Sequence, residues 1–378
     1  MSILNRAVRV GLRGLLPLSA VLGMVGAGVP ATAQPDSARS ERIYVVGAAG
    51  DGVVGVEVSP GAAPRLLGEA APGPLGALAV DAAPAGDFVY AGSAAEAGIT
   101  AYRANPDGTL APVPGSPVSA PGPVITIVVA PDGKHLYAST TVGLRGAVVS
   151  YAITPSGLPV QLGEPVELEY TSHFGMMAIS PDGRHLYTTD YFGSAMIHLP
   201  IGPDGAALPT RQRIDAGSSP VNPEVSPDGR FLYTANELGS SVSGFRIGPD
   251  GSLSPVPGSP FPAGGGTHGV AITPDSRRVY VPSITSDSID GYAIGPDGSL
   301  APLPGSPYHA EPGGIVGRTL AGGDGTRLYS IEEFGLPGNL TIGLQAYVIG
   351  ADGALTPTGS PVDLGILFTD GPSATITG

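Results

Sequence analysis

No cysteine occurs anywhere in the chain. That excludes disulfide stapling, a cysteine nucleophile and lipid attachment through a thiol. Positive charge is scarce as well, with 18 Lys and Arg against 32 Asp and Glu and a formal net charge of −14. A surface this acidic repels phosphate backbones and anionic lipids, so neither nucleic acid nor a membrane surface is an expected partner. Beyond the N-terminus no long apolar stretch has helical period, so helix should be rare. The Walker loop, the dinucleotide-binding fingerprint and the Gly-x-Ser-x-Gly elbow are all missing. With 59 glycines, scattered Gly-rich matches carry no information.

The one long apolar run lies in the first 33 residues. Arg6, Arg9 and Arg13 form a basic start, GLLPLSAVLGMVGAGVP follows, and Ala-Thr-Ala at 31–33 suits a small-x-small cleavage site. This pattern predicts a cleaved signal peptide over 1–33, a mature chain over 34–378 and a location outside the cytoplasm. Pro17, Pro30 and the glycines argue against a retained membrane span. Loss of those three arginines leaves 15 basic against 32 acidic residues, a net charge of −17.

What the chain has in abundance is Gly (59), Pro (41) and β-type alternation, with 42% of residues apolar. In such a chain Gly and Pro punctuate many short strands. The phrases ISPDGRHLYTTDYFG (179–193) and VSPDGRFLYTANELG (225–239) are near-copies, and looser copies recur. One tyrosine ends the second strand of each copy: Tyr44, Tyr90, Tyr137, Tyr187, Tyr233, Tyr280 and Tyr329, spaced by 46, 47, 50, 46, 47 and 49 residues. Each unit reads as an alternating strand, a Pro-Asp-Gly turn, a Leu-Tyr strand, a third strand with an aromatic, a second turn, and PVPGSP or a relative leading to an outer strand. Four short antiparallel strands in about 47 residues make a propeller blade, and seven copies make a seven-bladed β-propeller. The fold class is therefore all-β.

The chain starts its repeats at ERIYVV, a second strand with no first strand before it. It finishes with GPSATITG (371–378), a first strand with no second strand after it. These two are expected to pair in one blade, with the C-terminal strand innermost, closing the ring and hiding an edge. A solenoid would need capping units, two domains would need a break in the period, and neither is visible. The PVPGSP segments recur at a fixed place in the repeat, so they are read as blade connectors and not as polyproline ligands.

Over residues 41–378 these repeats resemble the lactonase-type seven-bladed propellers, a family that includes the propeller form of 6-phosphogluconolactonase and fungal carboxymuconate cyclases. The resemblance is carried by PDGRHLYTTDYFG, PDGRFLYTANELGSSV and the trailing PDGSL phrases. It sets Asp190, Gly193, Asn236, Glu237 and Leu238 on matching positions. The family's Asp-Arg is replaced by Ala195 and Met196, its innermost Arg-His by Val221 and Asn222, and a further channel Arg near Ile284. The implied chemistry relies on a basic pocket for an anionic sugar or dicarboxylate, so phosphosugar lactone hydrolysis is not expected here.

Loops at one end of a propeller channel converge, and function is sought there. Positions after the repeat tyrosines place Asp190, Tyr191, Asn236, Glu237, Glu332 and Glu333 at that mouth, and the starts of innermost strands add His173, His268 and Arg318. Glu237 and His268 are the candidate catalytic pair: a base activating water against a lactone carbonyl, with Arg318 or backbone N–H groups on the oxyanion. His173, Asp190, Tyr191, Asn236, Arg318, Glu332 and Glu333 are the candidate ligand-binding residues. Clustered, the four carboxylates could also take Ca²⁺ through oxygen, with Asn236 as a neutral ligand. Two histidines without a third ligand make no zinc site, and no other cofactor is expected. The leading expectation is an exported, monomeric propeller that binds a small ligand or a protein at its mouth. The alternative is a hydrolase, cyclase or isomerase acting on a lactone or related cyclic metabolite.

Overall fold

In blades three, four and five a Pro-Asp-Gly turn joins the first two strands, for a local reason. In blade four Asp182 Oδ1 accepts the Arg184 N–H at 3.1 Å, and Gly183 sits at φ +70°, where a side chain is strained. The sixth copy, PDSR, puts Ser276 at φ +58°. Its Oγ accepts the Asp228 N–H of the preceding blade's turn at 3.0 Å. The computed structural model describes residues 40–50, 52–168, 175–309, 315–334, 341–366 and 373–378. His173 and the signal segment lie outside the described residues.

Seven antiparallel sheets result, each running outward from an innermost strand. Blade two is representative: Ala77–Ala82 innermost, then Phe88–Ser93, Gly98–Ala104, and an outer strand in two pieces, Leu110–Pro112 and Val118–Ser119. The other innermost strands are Thr126–Val129, Met177–Ile179, Pro220–Val225, Ala271–Ile272, Ile315–Ala321 and Ala374–Thr377. The last closes the ring. It pairs with Glu41–Gly47 in the register Ile43↔Ile376 and Tyr44↔Thr375, so the two ends share blade one. Among the described residues the one helical element is a 3₁₀ turn, Ile284–Ser286.

The proline segments do more than connect. In blades two, five and six they interrupt the outer strand, and a serine fills the gap in its ladder. Ser116, Ser259 and Ser306 Oγ accept the backbone N–H groups of Ala101, Gly244 and Gly291 at 2.7, 3.0 and 2.9 Å. Each of those donors would otherwise be left unpaired in a half-covered strand.

The apolar core is divided into layers between blades. Tyr187 and Met196 of blade four pack with Leu232 and Phe245 of blade five. Tyr137 and Val148 of blade three likewise meet Leu186 and Leu199 of blade four. At the closure Ile43 and Val56 of blade one pack on Tyr329 and Leu344 of blade seven. The repeat tyrosines lock this stacking. Tyr44, Tyr137, Tyr187, Tyr233 and Tyr280 each donate a hydroxyl hydrogen bond to the carbonyl of a second-turn glycine one blade on. Those acceptors are Gly108, Gly205, Gly251, Gly298 and Gly353, at 2.8–3.1 Å.

Candidate functional site

Second strands end, and innermost strands begin, on the same face of the ring. Pro220 pairs with Asn236, and the Glu237 N–H donates to the Ser219 carbonyl at 3.0 Å. At this mouth Glu237 of blade five and His268 of blade six face each other, with His268 Nδ1 4.0 Å from Glu237 Oε2. Their side chains are 11% (His268) and 28% (Glu237) exposed, so the pair is sheltered but reachable. The His268 backbone is fixed on both sides: its N–H donates to the Pro282 carbonyl at 3.0 Å, and its carbonyl accepts from Asn222 Nδ2 at 3.2 Å. Asn222 itself lies at φ +42° within a bulge between Val221 and Glu224, a distortion that re-aims side chains.

Other sequence-derived candidates are placed in packing and hydrogen-bond networks. Asp190 is buried, accepts the Gly193 N–H at 2.9 Å, and pairs with Arg213 Nη2 at 2.7 Å. Asn236 is buried and donates to Ser241 and Ser243 Oγ, both at 3.0 Å. Glu332 is buried under Tyr347, whose hydroxyl donates to Glu332 Oε1 at 2.8 Å, with Ser330 Oγ on the same oxygen. Tyr191 packs over Met176, Val221 and Ala235 and meets the Phe192 ring edge-on at 5.1 Å. Glu333 is half-buried near the end of its strand. Among the described residues no cluster of three or more His, Cys, Asp or Glu is arranged to hold a metal ion.

Below the mouth lies a cavity of about 340 Å³ lined by all seven innermost strands. Arg318 belongs here. An ideal Cβ on Gly269, next to His268, would lie 3.5 Å from Arg318 Nη1, so the guanidinium runs just beneath the mouth pair. Asp81 and Glu224 are the other ionisable residues in the described lining, and the sequence reading missed both. Their signal was available in the repeat. Each stands three residues before the turn proline, at a slot filled in other copies by Val128, Ala178, Ala271 and Leu320. The three strands that deliver these charges, in blades two, five and seven, all carry register shifts, between Ala77 and Ala79, Val221 and Glu224, and Val316 and Arg318.

The two carboxylates clasp neighbouring blades. Asp81 Oδ2 accepts the Val129 N–H at 2.8 Å, and its Oδ1 accepts from Ala82 N and Thr375 Oγ1, both at 2.9 Å. Glu224 Oε1 accepts the Ile272 N–H at 3.2 Å. Burial pushes the Asp81 carboxyl above its ordinary pKa despite those bonds and the Arg318 charge. Burial also pushes Glu224 up to about 7, opposed by the Ile272 N–H and by Arg318.

Fold and site together define a closed seven-bladed propeller with a sheltered carboxylate–imidazole pair at one channel mouth. Part of its sequence is similar to propellers of the lactonase type. Residues 88–226 match the family model described as "Lactonase, 7-bladed beta-propeller". The 6-phosphogluconolactonase of Serratia proteamaculans is 36% identical over 107 residues, 27% of this chain and 30% of that enzyme. The enzyme of the same name from Pectobacterium carotovorum is 32% identical over 98 residues, 26% of this chain and 28% of its own length. The aligned part thus spans under a third of either relative. Solved structures share the fold over far more of the chain. A protein of Bacteroides fragilis described as a 6-phosphogluconolactonase aligns with TM-score 0.73 and 16% identity, covering 91% of this chain and 99% of that one. The periplasmic gluconolactonase of Pseudomonas aeruginosa aligns with TM-score 0.70 and 16% identity, covering 90% and 99%.

Proposed function

We propose that this propeller hydrolyses an uncharged lactone at its mouth, outside the cytoplasm, with His268 as general base and Glu237 orienting it. The observation that carries the reading is the 4.0 Å approach of His268 Nδ1 to Glu237 Oε2, made by two neighbouring blades at a sheltered opening. A proton on Nδ1, held toward the carboxylate, leaves Nε2 as the acceptor. Water attacks the lactone carbonyl as its proton passes to Nε2. The tetrahedral oxyanion then collapses, the ring C–O bond breaks, and the leaving alkoxide takes the proton back from His268. The product is an open hydroxy acid. The 4.0 Å separation shortens to a hydrogen bond when substrate excludes water.

The uncharged substrate follows from the cations. Arg213 is committed to Asp190, and Arg318 sits below the mouth among Asp81 and Glu224. A phosphorylated or dicarboxylate substrate would therefore meet Glu237 with no positive side chain among the described mouth residues to offset it. Support for lactone chemistry also comes from the names of the relatives above. Turnover of a panel of sugar and aliphatic lactones tests the reading. His268→Ala and Glu237→Gln should each lower kcat by about 10²–10⁴-fold while the fold persists. A second reading, ligand or protein binding without turnover, is favoured by Phe192 and Leu238, each 70% exposed after the second strands that end at this face. Wild-type protein inert on the whole panel would decide for it.

A further inference from the structure

We propose that the channel cavity is a second, separate binding site, for a small carboxylate held by Arg318, and that the anion enters together with one proton taken up by Glu224. Three observations meet there. First, none of Arg318's N–H donors has a hydrogen-bond or ion-pair partner among the described residues, and its Nε is fully buried. An arginine keeps its charge, and a sheltered guanidinium without partners is strongly disfavoured, whereas its planar fork fits a carboxylate with two parallel hydrogen bonds. Second, the cavity of about 340 Å³ has room for an organic acid of several heavy atoms, and Thr126, Asn222, Thr319 and Thr375 add polar groups to its wall. Third, the three bulged strands single out the three ionisable side chains, so the charges are placed there by specific backbone distortions.

The proton follows from charge. With both carboxylates ionised, one arginine faces two negative groups, and a further anion would be repelled. Asp81 accepts three hydrogen bonds and Glu224 one, so ionisation is better supported at Asp81. Glu224 is then the group that takes the proton, and burial already holds its pKa near 7. Among the described lining residues no other titratable group faces it from any of the seven innermost strands.

Isothermal titration of the full chain with sodium acetate, at constant ionic strength, tests this. Saturable binding should be roughly tenfold tighter at pH 6 than at pH 8, with about one proton taken up per acetate at pH 8. Arg318→Met should abolish binding. Glu224→Gln should retain it with equal affinity at both pH values. The mouth variant His268→Ala should bind acetate like the wild type, which separates this site from the lactone reading. Absence of saturable heat from the wild type, or binding unchanged in Arg318→Met, would mean that the cavity holds water only. Should Arg318→Met fail to fold, a pH dependence that survives in Glu224→Gln overturns the proposal equally well.

Discussion

At the residue scale, the repeat tyrosines divide into two groups. Five donate to a glycine carbonyl of the next blade, while Tyr90 and Tyr329 hydroxyls are buried without a hydrogen-bond partner. For Tyr329 the reason is visible: blade one replaces the PDG second turn with SPGAAPRL, whose Gly61 carries open space around it. Tyr187→Phe or Tyr233→Phe should therefore cost about 1 kcal/mol in urea unfolding, and Tyr90→Phe or Tyr329→Phe should be neutral or stabilising. Glu224 gives a pH signature. Its folded pKa of about 7 lies above the ordinary 4.5, so the folded protein holds a proton that the unfolded chain releases. Its contribution is most favourable below pH 4.5, is lost as pH rises from 4.5 to 7, and is flat above. The melting temperature of Glu224→Gln relative to wild type should rise across that window and plateau beyond it; a constant difference would refute the assignment.

At the scale of the element, strand, turn and period are written locally, and local pattern was enough to read them. The serine-filled outer strands were read as plain connectors, because the N–H that Ser259 Oγ satisfies lies 15 residues earlier, on Gly244. The same limit governs the site. Asp190, Asn236 and Glu332 occupy mouth registers, as the sequence implies. Asp190 is committed to Arg213, Asn236 to Ser241 and Ser243, and Glu332 to Tyr347. Those partners sit on other strands of the same blade, and no local motif marks them. Glu237 and His268 lie on different blades, yet register alone brought them together, because each occupies the edge of the same mouth. Asp81 and Glu224 lie within innermost strands, below the strand ends that mark the mouth, although a charge in an apolar slot of an innermost strand is itself a signal.

At the scale of the whole molecule, the core consists of layers between blades, so each blade depends on its neighbours and closure matters to all of them. Blade one is completed by four residues at the other end of the chain, and Thr375 also bonds Asp81 of blade two at 2.9 Å. Deletion of residues 373–378 removes the ladder to Glu41–Gly47, the Val46 N–H to Ser373 carbonyl bond, and one wall of the channel. Thermal unfolding of this truncation should shift downward by several degrees or more and lose cooperativity. An unchanged transition would show that the ring does not need its closing strand. The channel and mouth are products of the same closure, since both draw on strands from across the ring.

The central functional claim is that the Glu237–His268 pair at the mouth directs water onto a lactone carbonyl. Hydrolysis of an uncharged lactone in H₂¹⁸O, followed by mass spectrometry, measures that step. One ¹⁸O is expected in the product carboxylate, formed by the wild type far above the uncatalysed rate and by His268→Ala at close to that background. Equal rates of label incorporation in wild type and variant, or none above background in either, would contradict it.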